Sequence, residues 1–196
     1  MTAAQYFYGE IGADKLTVND AEIRARLQVK GDYREVMTDK CLINLQSVIR
    51  CAYSAVKVPV FLNENSVNLG FGEIVSRNLS DCLKGCDSAF IFAVTLGYGV
   101  DRLLSKLAVS SVSEHFVTDA FASAFAEAAC EYTEKVLAAG HVVGRRFSPG
   151  YGDLPLGIQP QVLASVMADK RLGIVLSDSL LMSPKKSVTA IVGILK

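Results

Sequence analysis

Residues 89–96 (AFIFAVTL) form an uninterrupted apolar run that is rich in aromatic and β-branched side chains. A strand with one solvated face alternates apolar and polar residues, whereas a strand buried on both faces reads as a continuous apolar run. The run is also too short to cross a bilayer as a helix, which takes about 20 residues. It therefore predicts a central strand with other elements packed against both of its faces.

Helical and strand-like patterns are interspersed along the rest of the chain. The longest helical pattern, residues 113–139, repeats apolar side chains at three- and four-residue spacing, which predicts a helix with one side in the core. That apolar stripe comprises Phe116, Ala120, Phe121, Ala124, Phe125, Ala128 and Tyr132. The other predicted helices are residues 19–27, 34–56, 76–84, 101–107 and 160–168, and the other predicted strands are residues 58–62, 67–71, 174–176 and 188–194.

The order of these elements indicates the fold class. Strands occur in a hairpin or singly between helices, without the regular strand–helix alternation of a doubly wound parallel fold. We therefore expect an α+β fold with a twisted, mainly antiparallel or mixed sheet flanked by helices. No linker, internal repeat or low-complexity tract divides the sequence, so we expect a single domain over residues 1–196.

The balance of charge disfavours several kinds of partner. Twenty basic residues match twenty acidic residues, which gives a formal net charge of zero. Nucleic-acid binding relies on a basic surface, so we expect no nucleic-acid partner. The N-terminal residues lack the basic and apolar regions of a signal peptide, and no apolar run suits a transmembrane helix. We therefore expect a cytoplasmic protein that does not contact a membrane.

The five cysteines are expected to be reduced and buried. Their number is odd and their spacing is irregular, and a free cysteine usually behaves as a small apolar side chain. Cys82 and Cys86 lie one helical turn apart, which differs from the Cys-x-x-Cys spacing of zinc sites. Because the chain contains only two histidines, we expect no metal site.

Residues 146–153 (RFSPGYGD) predict a tight turn beside a charged side chain. Proline favours the first central position of a type II turn and glycine supplies the positive φ of the second, which assigns Pro149 and Gly150 to those positions. Arginine binds a carboxylate through two parallel hydrogen bonds, and glycine allows a ligand to approach the backbone. The turn would bring Arg146 and Tyr151 together in a site for a small zwitterionic ligand. A surface turn with a salt-bridged arginine is the alternative.

A polar stripe also runs along the predicted helix at residues 113–139. Asp119, Ser123, Glu127 and Glu131 are each four residues apart and therefore lie on one side of the helix. Taken alone, these residues favour a solvated polar face opposite the apolar stripe. The functional alternative is a set of carboxylates that binds a cationic group.

Ordered motifs in the C-terminal half resemble the activation domain of cobalamin-dependent methionine synthase. Residues 125–132 (FAEAACEY) precede the Arg-x-x-x-Gly-Tyr segment at residues 146–151. They are followed in the same order by residues 173–179 (GIVLSDS), 182–184 (MSP) and 187–188 (SV). The resemblance extends over residues 115–194. It implies a twisted antiparallel sheet flanked by helices, in agreement with the fold class expected from the element order.

The resemblance also implies a set of ligand-binding residues. In this family, S-adenosylmethionine is bound by the first glutamate of the helical motif, by the arginine of the loop motif, by the residue two positions further on and by the Gly-Tyr pair. These contacts fall on Glu127, Arg146, Ser148, Gly150 and Tyr151 of this chain. Arg146 would pair with the methionyl carboxylate, Ser148 would offer backbone polar groups, and Tyr151 would face the purine or the corrin.

The sequence departs from the family pattern around these contacts. The family's Pro-x-His-x-x-Lys run after Gly-Tyr is replaced by residues 153–159 (DLPLGIQ), and a tyrosine that longer members carry beyond the Ser-Val pair has no counterpart in these 196 residues. The family's N-terminal aspartate contact has two candidates, Asp32 and Asp101. Arg145 is the second candidate for the charge role of Arg146. The family's contacts are therefore transferred only to the five matching positions.

The resemblance implies a function in methionine biosynthesis. The family's domain presents S-adenosylmethionine to a cobalamin whose cobalt has been oxidised to the inactive cobalt(II) form, while a flavodoxin-like donor supplies one electron. This chain has no Gly-x-Gly-x-x-Gly segment, cysteine cluster or corrin-binding motif of its own. We therefore expect a stand-alone activation subunit that acts on a separately encoded, cobalamin-binding methionine synthase. The alternatives are an accessory protein of another corrinoid methyltransferase system and a ligand-binding scaffold with a vestigial site.

Overall fold

The computed structural model describes residues 4–28 and 36–195. Its strands are β1 (Gln5–Ile11), β2 (Cys51–Pro59), β3 (Phe61–Leu62), β4 (Ser66–Asn68), β5 (Glu73–Val75), β6 (Cys86–Thr95), β7 (Val143–Phe147), β8 (Val175–Leu176), β9 (Met182–Ser183) and β10 (Ser187–Leu195). Its helices are α1 (Asp20–Leu27), α2 (Val36–Val48), α3 (Arg77–Cys82), α4 (Tyr98–Ser110), α5 (Val112–Leu137), α6 (Gln159–Ser165) and α7 (Ala168–Leu172).

Five strands form the central sheet, in the order β1-β2-β6-β10-β7. Every neighbouring pair is antiparallel. The apolar run at residues 89–96 supplies most of β6, the middle strand, and residues 89–95 are all buried. This confirms the predicted central strand. Two small antiparallel sheets, β3-β4-β5 and β8-β9, lie outside the central sheet.

One face of the central sheet is covered by α1, α2, α4 and α5. Helix α5 contributes the largest apolar side chains, with Phe121 and Phe125 each only 2% exposed. The predicted apolar stripe of this helix is wrong at Phe116, which is 51% exposed. Phe116 lies in the second turn of α5, near the α4–α5 corner, where Val109 and Val112 are exposed as well.

The opposite face is covered by α3, α6, α7 and the β3-β4-β5 sheet. Ile91 of β6 and Ile191 of β10 are fully buried in this second core, together with Leu79 of α3 and Val162 of α6. The sheet therefore separates two apolar cores. This arrangement confirms the predicted α+β class, with an antiparallel sheet flanked by helices.

The N-terminal part differs from the sequence prediction. Strand β1 was not predicted, and the helix predicted at residues 34–56 is wrong beyond Val48, while residues 34 and 35 lie outside the described residues. Arg50 donates its backbone N–H to the carbonyl oxygen of Leu96 at 3.0 Å, so the chain leaves the helix and enters the sheet as β2. Pairing of β2 with β1 and β6 therefore overrides the helical spacing that continues into residues 49–52.

The helix predicted at residues 160–168 is interrupted. Helix α6 ends at Ser165, and α7 begins at Ala168 after Met167 adopts a left-handed φ of 53°. A positive φ lies outside the right-handed helical region, so Met167 ends one helix and redirects the chain into the next. Ser54 of β2 donates its hydroxyl to the carbonyl oxygen of Val166 at 2.6 Å and fixes this corner to the sheet.

Candidate functional site

A cleft of about 1460 Å³ lies beside the β10-β7 edge of the central sheet. Its walls come from α5, from β7 and the turn that follows, and from the segment between β8 and β10. Four of the five residues expected from the family motifs line it, namely Glu127, Arg146, Ser148 and Tyr151. The fifth, Gly150, lies in the turn between Ser148 and Tyr151. The structure thus brings the sequence-predicted residues to one place.

The predicted tight turn is present. Tyr151 donates its backbone N–H to the carbonyl oxygen of Ser148 at 3.1 Å, which closes a four-residue turn with Pro149 and Gly150 in its centre. Gly150 has a φ of 89°, as the third position of a type II turn requires. A Cβ atom at Gly150 would lie 3.6 Å from Cδ1 of Leu156, so the conformation rather than lack of space demands glycine.

An irregularity in β7 decides which way its two arginines face. Along β10, Val192 pairs with Arg146 and Ile194 pairs with Val143, so three steps on β7 match two on β10. An extra residue of this kind re-aims the side chains of the bulged strand. Arg146 and Val143 consequently share the α5 face, whereas Arg145 is exposed and lines both the cleft and a smaller cavity of about 560 Å³ beside α3. Arg146 was expected in a loop, but it belongs to strand β7.

Arg146 is held by two carboxylates of α5. Its Nη2 atom donates to Oε1 of Glu127, and its Nε atom lies 3.4 Å from Oε2 of Glu134. The three side chains are 24%, 38% and 29% exposed, respectively. The third guanidinium nitrogen, Nη1, is buried and has no hydrogen-bond partner among the described residues. The site therefore contains an ion pair with one unsatisfied donor group.

Two members of this cluster were not identified from the sequence. Glu134 lies beside Arg146, and burial raises the pKa of its carboxyl, although the guanidinium opposes that shift. Cys130 also lines the cleft, and burial raises the pKa of its thiol to about 12, so it is a neutral group rather than a nucleophile. The spacing of Glu127, Cys130 and Glu134 is the available signal, because residues three and four apart share one side of a helix.

Some side chains in the polar stripe of α5 are paired with cationic side chains. Nζ of Lys186, next to β10, lies 2.8 Å from Oδ1 of Asp119 and 2.8 Å from Oγ of Ser123. Glu127 is paired with Arg146, whereas Glu131 is exposed and lines the cleft. Asp119 and Glu127 thus pair with cationic side chains while remaining 45% and 38% exposed, so the stripe combines solvation with ion pairing.

The loop after the turn is tied to α3 by Asp153. Its carboxylate accepts a hydrogen bond from the hydroxyl of Ser76, and it accepts backbone N–H groups of Arg77 at 2.9 Å and Asn78 at 3.2 Å. The N–H groups of Arg77 and Asn78 lie in the first turn of α3, where backbone N–H groups have no partner within the helix. The Ser76 hydroxyl and these backbone donors hold the pKa of Asp153 below its ordinary value. Asp153 therefore fixes the base of the turn that lines the cleft.

We expect the stabilising effect of Asp153 to depend on pH. Because the folded-state pKa lies below the ordinary value of 3.8, the effect is full above that value and is lost as the pH falls through the lowered one. The free energy of unfolding of the wild type and of Asp153→Asn, measured from neutral pH downwards, should differ by a constant amount near neutrality and converge in acid. A difference that persists unchanged in acid would contradict capping by the ionised carboxylate.

Asp32 and Asp101 were the two candidates for the family's N-terminal aspartate contact. Asp32 lies outside the described residues. Asp101, in the first turn of α4, accepts the backbone N–H of Lys185 at 2.9 Å. Lys185 lines the cleft, but Asp101 does not. Asp101 therefore supports the wall of the cleft from behind.

The fold is shared with a solved reactivation domain. A solved structure described as the MetH reactivation domain bound to AdoHcy superimposes with a TM-score of 0.73. The superposition covers 96% of this chain and 78% of that chain, with 16% identical residues. No protein-family model matches the sequence, and no curated protein matches it. The chain therefore has the fold of the MetH reactivation domain.

Two further properties concern the described residues only. None of their helices combines the length and the apolar character that a membrane span requires. They also contain no group of three histidine, cysteine, aspartate or glutamate side chains arranged to hold a metal ion. All five cysteines are free, and four of them are buried, with Cys82 half-buried.

Proposed function

We propose that this chain binds S-adenosylmethionine in the cleft and supports reductive methylation of the cob(II)alamin of a separately encoded methionine synthase. The observation that carries the proposal is the Glu127–Arg146 ion pair beside the Ser148–Tyr151 turn, in a fold shared with a domain that was solved with AdoHcy. The proposal assigns the chain an accessory role in methionine biosynthesis.

The ion pair matches the amino-acid end of the proposed ligand. S-adenosylmethionine carries an ammonium and a carboxylate on one carbon, and these charges are the reverse of those of Glu127 and Arg146. A zwitterion can therefore replace the internal pair with two intermolecular pairs without leaving a buried charge uncompensated. The Nη1 atom of Arg146 is buried and unpartnered among the described residues, and it would become a second donor to the carboxylate once the internal pair opens.

The turn suits the remainder of the ligand. Gly150 carries no side chain, so the backbone of Ser148 and Gly150 is open to a close approach. Tyr151 is 68% exposed, and its ring offers a flat apolar surface with a polar tip. We assign the backbone groups to the ligand and the Tyr151 ring to the purine or to the corrin of the partner.

The size and the rim of the cleft support contact with a second, larger body. Small-molecule sites measure about 300–1,000 Å³, and this cleft is larger. Leu156, Leu181 and Tyr151 line it and are 40%, 66% and 68% exposed. Such a rim suits a macrocycle brought by a cobalamin-binding partner. The partner's cobalamin would accept the methyl group once a flavodoxin-like donor had supplied an electron.

A reactivation assay tests this function. The chain is added, with S-adenosylmethionine and a reduced flavodoxin, to a cobalt(II)-inactivated methionine synthase that lacks its own reactivation domain. Recovery of turnover that depends on both the chain and S-adenosylmethionine is expected. Binding of S-adenosylmethionine without recovery would contradict the choice of partner, and absence of binding would contradict the function itself.

Tyr151 provides a separate prediction. Because its ring projects from the turn, Tyr151→Ala should bind S-adenosylmethionine within a few-fold of the wild type and yet lose most of the reactivation. Tyr151→Phe retains the ring and should retain both. Calorimetry and the reactivation assay measure the two effects separately. Full reactivation by Tyr151→Ala would contradict a corrin-facing role for this residue.

A further inference from the structure

Strand β1 forms one edge of the central sheet, and no described strand pairs with its outer side. It is the end strand of the order β1-β2-β6-β10-β7, and all seven of its residues pair with β2 on the inner side. Among the described residues, no hydrogen bond from a turn, a loop or a side chain reaches a backbone group of β1. The described part of the chain thus leaves the backbone donors and acceptors on the outer side of this strand to another strand.

The edge is ordered by its contacts with both cores. The ring of Phe7 meets that of Phe90 edge to face, with centroids 5.6 Å apart. On the opposite side of the sheet, the guanidinium carbon of Arg171 lies 5.1 Å from the centroid of the Tyr6 ring. An edge that is already held in the strand conformation loses less conformational entropy when it pairs.

The usual protection of an edge strand is scarce in β1. Natural edges carry lysine, proline, bulges or inward-facing charges that prevent pairing. The sequence of β1 (QYFYGEI) has no lysine or proline, and its register with β2 is regular over its whole length. Glu10 is its only charged residue, and Tyr6 and Tyr8 are 43% and 50% exposed. The strand therefore presents an edge that is fit for pairing.

The order of residues in β1 is complementary to itself. Tyr8 is the middle residue, so an antiparallel pair with a two-fold axis at Tyr8 brings all seven residues of both copies opposite each other. In that register Tyr8 faces Tyr8, Tyr6 faces Glu10, Phe7 faces Gly9, and Gln5 faces Ile11. No like charges meet, and aromatic side chains are favourable in cross-strand pairs. The zero net charge of the chain also gives little overall repulsion between copies.

We propose that β1 is the interface of a symmetric homodimer, in which two central sheets join into a continuous ten-stranded sheet. The partner of this edge is a second copy of the chain, related by a two-fold axis at Tyr8. The pair belongs to the class of isologous contacts, in which one patch binds itself. It lies at the far edge of the sheet from β7, so both clefts stay open in the dimer.

Substitution of Tyr8 by a charged residue tests the interface. The mass in solution is measured by analytical ultracentrifugation over a dilution series, and we expect the wild type to approach twice its 21.1 kDa at high concentration. Tyr8→Lys and Tyr8→Glu each place like charges opposite one another, and each variant alone should remain monomeric. An equimolar mixture of the two places lysine opposite glutamate and should recover the dimer.

Val109→Lys is the control. Val109 is 92% exposed on α4, so this substitution introduces the same charge as Tyr8→Lys at a surface away from β1. This variant should dimerise like the wild type, and thermal melting of all variants verifies that they are folded. A wild type that stays at 21.1 kDa at every concentration overturns the proposal. Dimerisation of Tyr8→Lys alone, or a mixture that stays monomeric, overturns it as well.

Discussion

Replacement of Arg146 by alanine is expected to weaken the binding of S-adenosylmethionine by about 2–5 kcal/mol, the range for removing one partner of a buried charge pair. The variant loses the group proposed to hold the ligand carboxylate and leaves Glu127 and Glu134 without their shared cation. The side chains are partly exposed, so the accompanying loss of unfolding free energy should be smaller, about 1 kcal/mol. Calorimetric titration and chemical denaturation measure the two quantities.

Arg145→Ala is the matched control for this prediction. It removes the same charge from the adjacent residue. Arg145 also lines the cleft, but it is exposed and makes no ion pair with a carboxylate of the described residues. We expect its affinity and stability to stay near those of the wild type. A loss of affinity in Arg145→Ala with normal binding by Arg146→Ala would transfer the charge role to Arg145.

Replacement of Phe125 by alanine is expected to lower the free energy of unfolding by about 3–5 kcal/mol, because it removes a large buried ring and leaves a cavity. Phe125 is 2% exposed and lies in the core between α5 and the central sheet. The effect should appear as a lower midpoint of denaturation at an unchanged slope.

Phe116→Ala provides the comparison within the same helix. The side chain of Phe116 is 51% exposed, and surface substitutions usually change stability by less than about 0.5 kcal/mol. The two variants remove the same atoms from positions that the sequence pattern alone does not distinguish. Equal losses of stability at both positions would contradict the packing of α5 described above.

The elements that the sequence predicts well are those with a strong local signal. The run at residues 89–96 identifies β6, and Asn19 caps α1 by accepting the backbone N–H of Ala21 at 2.9 Å, as the choice of residue suggests. The turn at Pro149 and Gly150 follows from conformational preferences of those two residues alone. These features depend on neighbours in the sequence, and the sequence is sufficient for them.

The features that the sequence does not predict depend on distant partners. The helical spacing of α2 continues into residues 49–52, but the chain forms β2 from Cys51 because β1 and β6 supply hydrogen-bonding partners on both sides. The same dependence conceals β1, whose short sequence gives little pattern without β2 beside it. Local spacing cannot reveal which strands become neighbours in the sheet.

The candidate site shows the same division. The five residues proposed to bind the ligand come from motif resemblance, and their types agree with a zwitterionic ligand. A salt-bridged arginine was one of the two expectations for Arg146, and the ion pairs with Glu127 and Glu134 bear it out. The sequence could not identify these partners, because the pairing requires the irregular register of β7 that turns Arg146 towards α5. Glu134 was overlooked for the same reason, since only the fold reveals which side of α5 meets the strand.

An NMR titration with S-adenosylhomocysteine tests the central claim most directly, because it reports both binding and location. The ligand is added to the wild-type chain labelled with nitrogen-15, and the backbone amide signals are followed to saturation. We expect saturable one-to-one binding with the largest changes at the amides of Arg146, Ser148, Gly150 and Tyr151 and along α5 near Glu127. Absence of saturable changes, or changes centred away from the cleft, would contradict the proposal that this cleft binds an S-adenosylmethionine-type ligand.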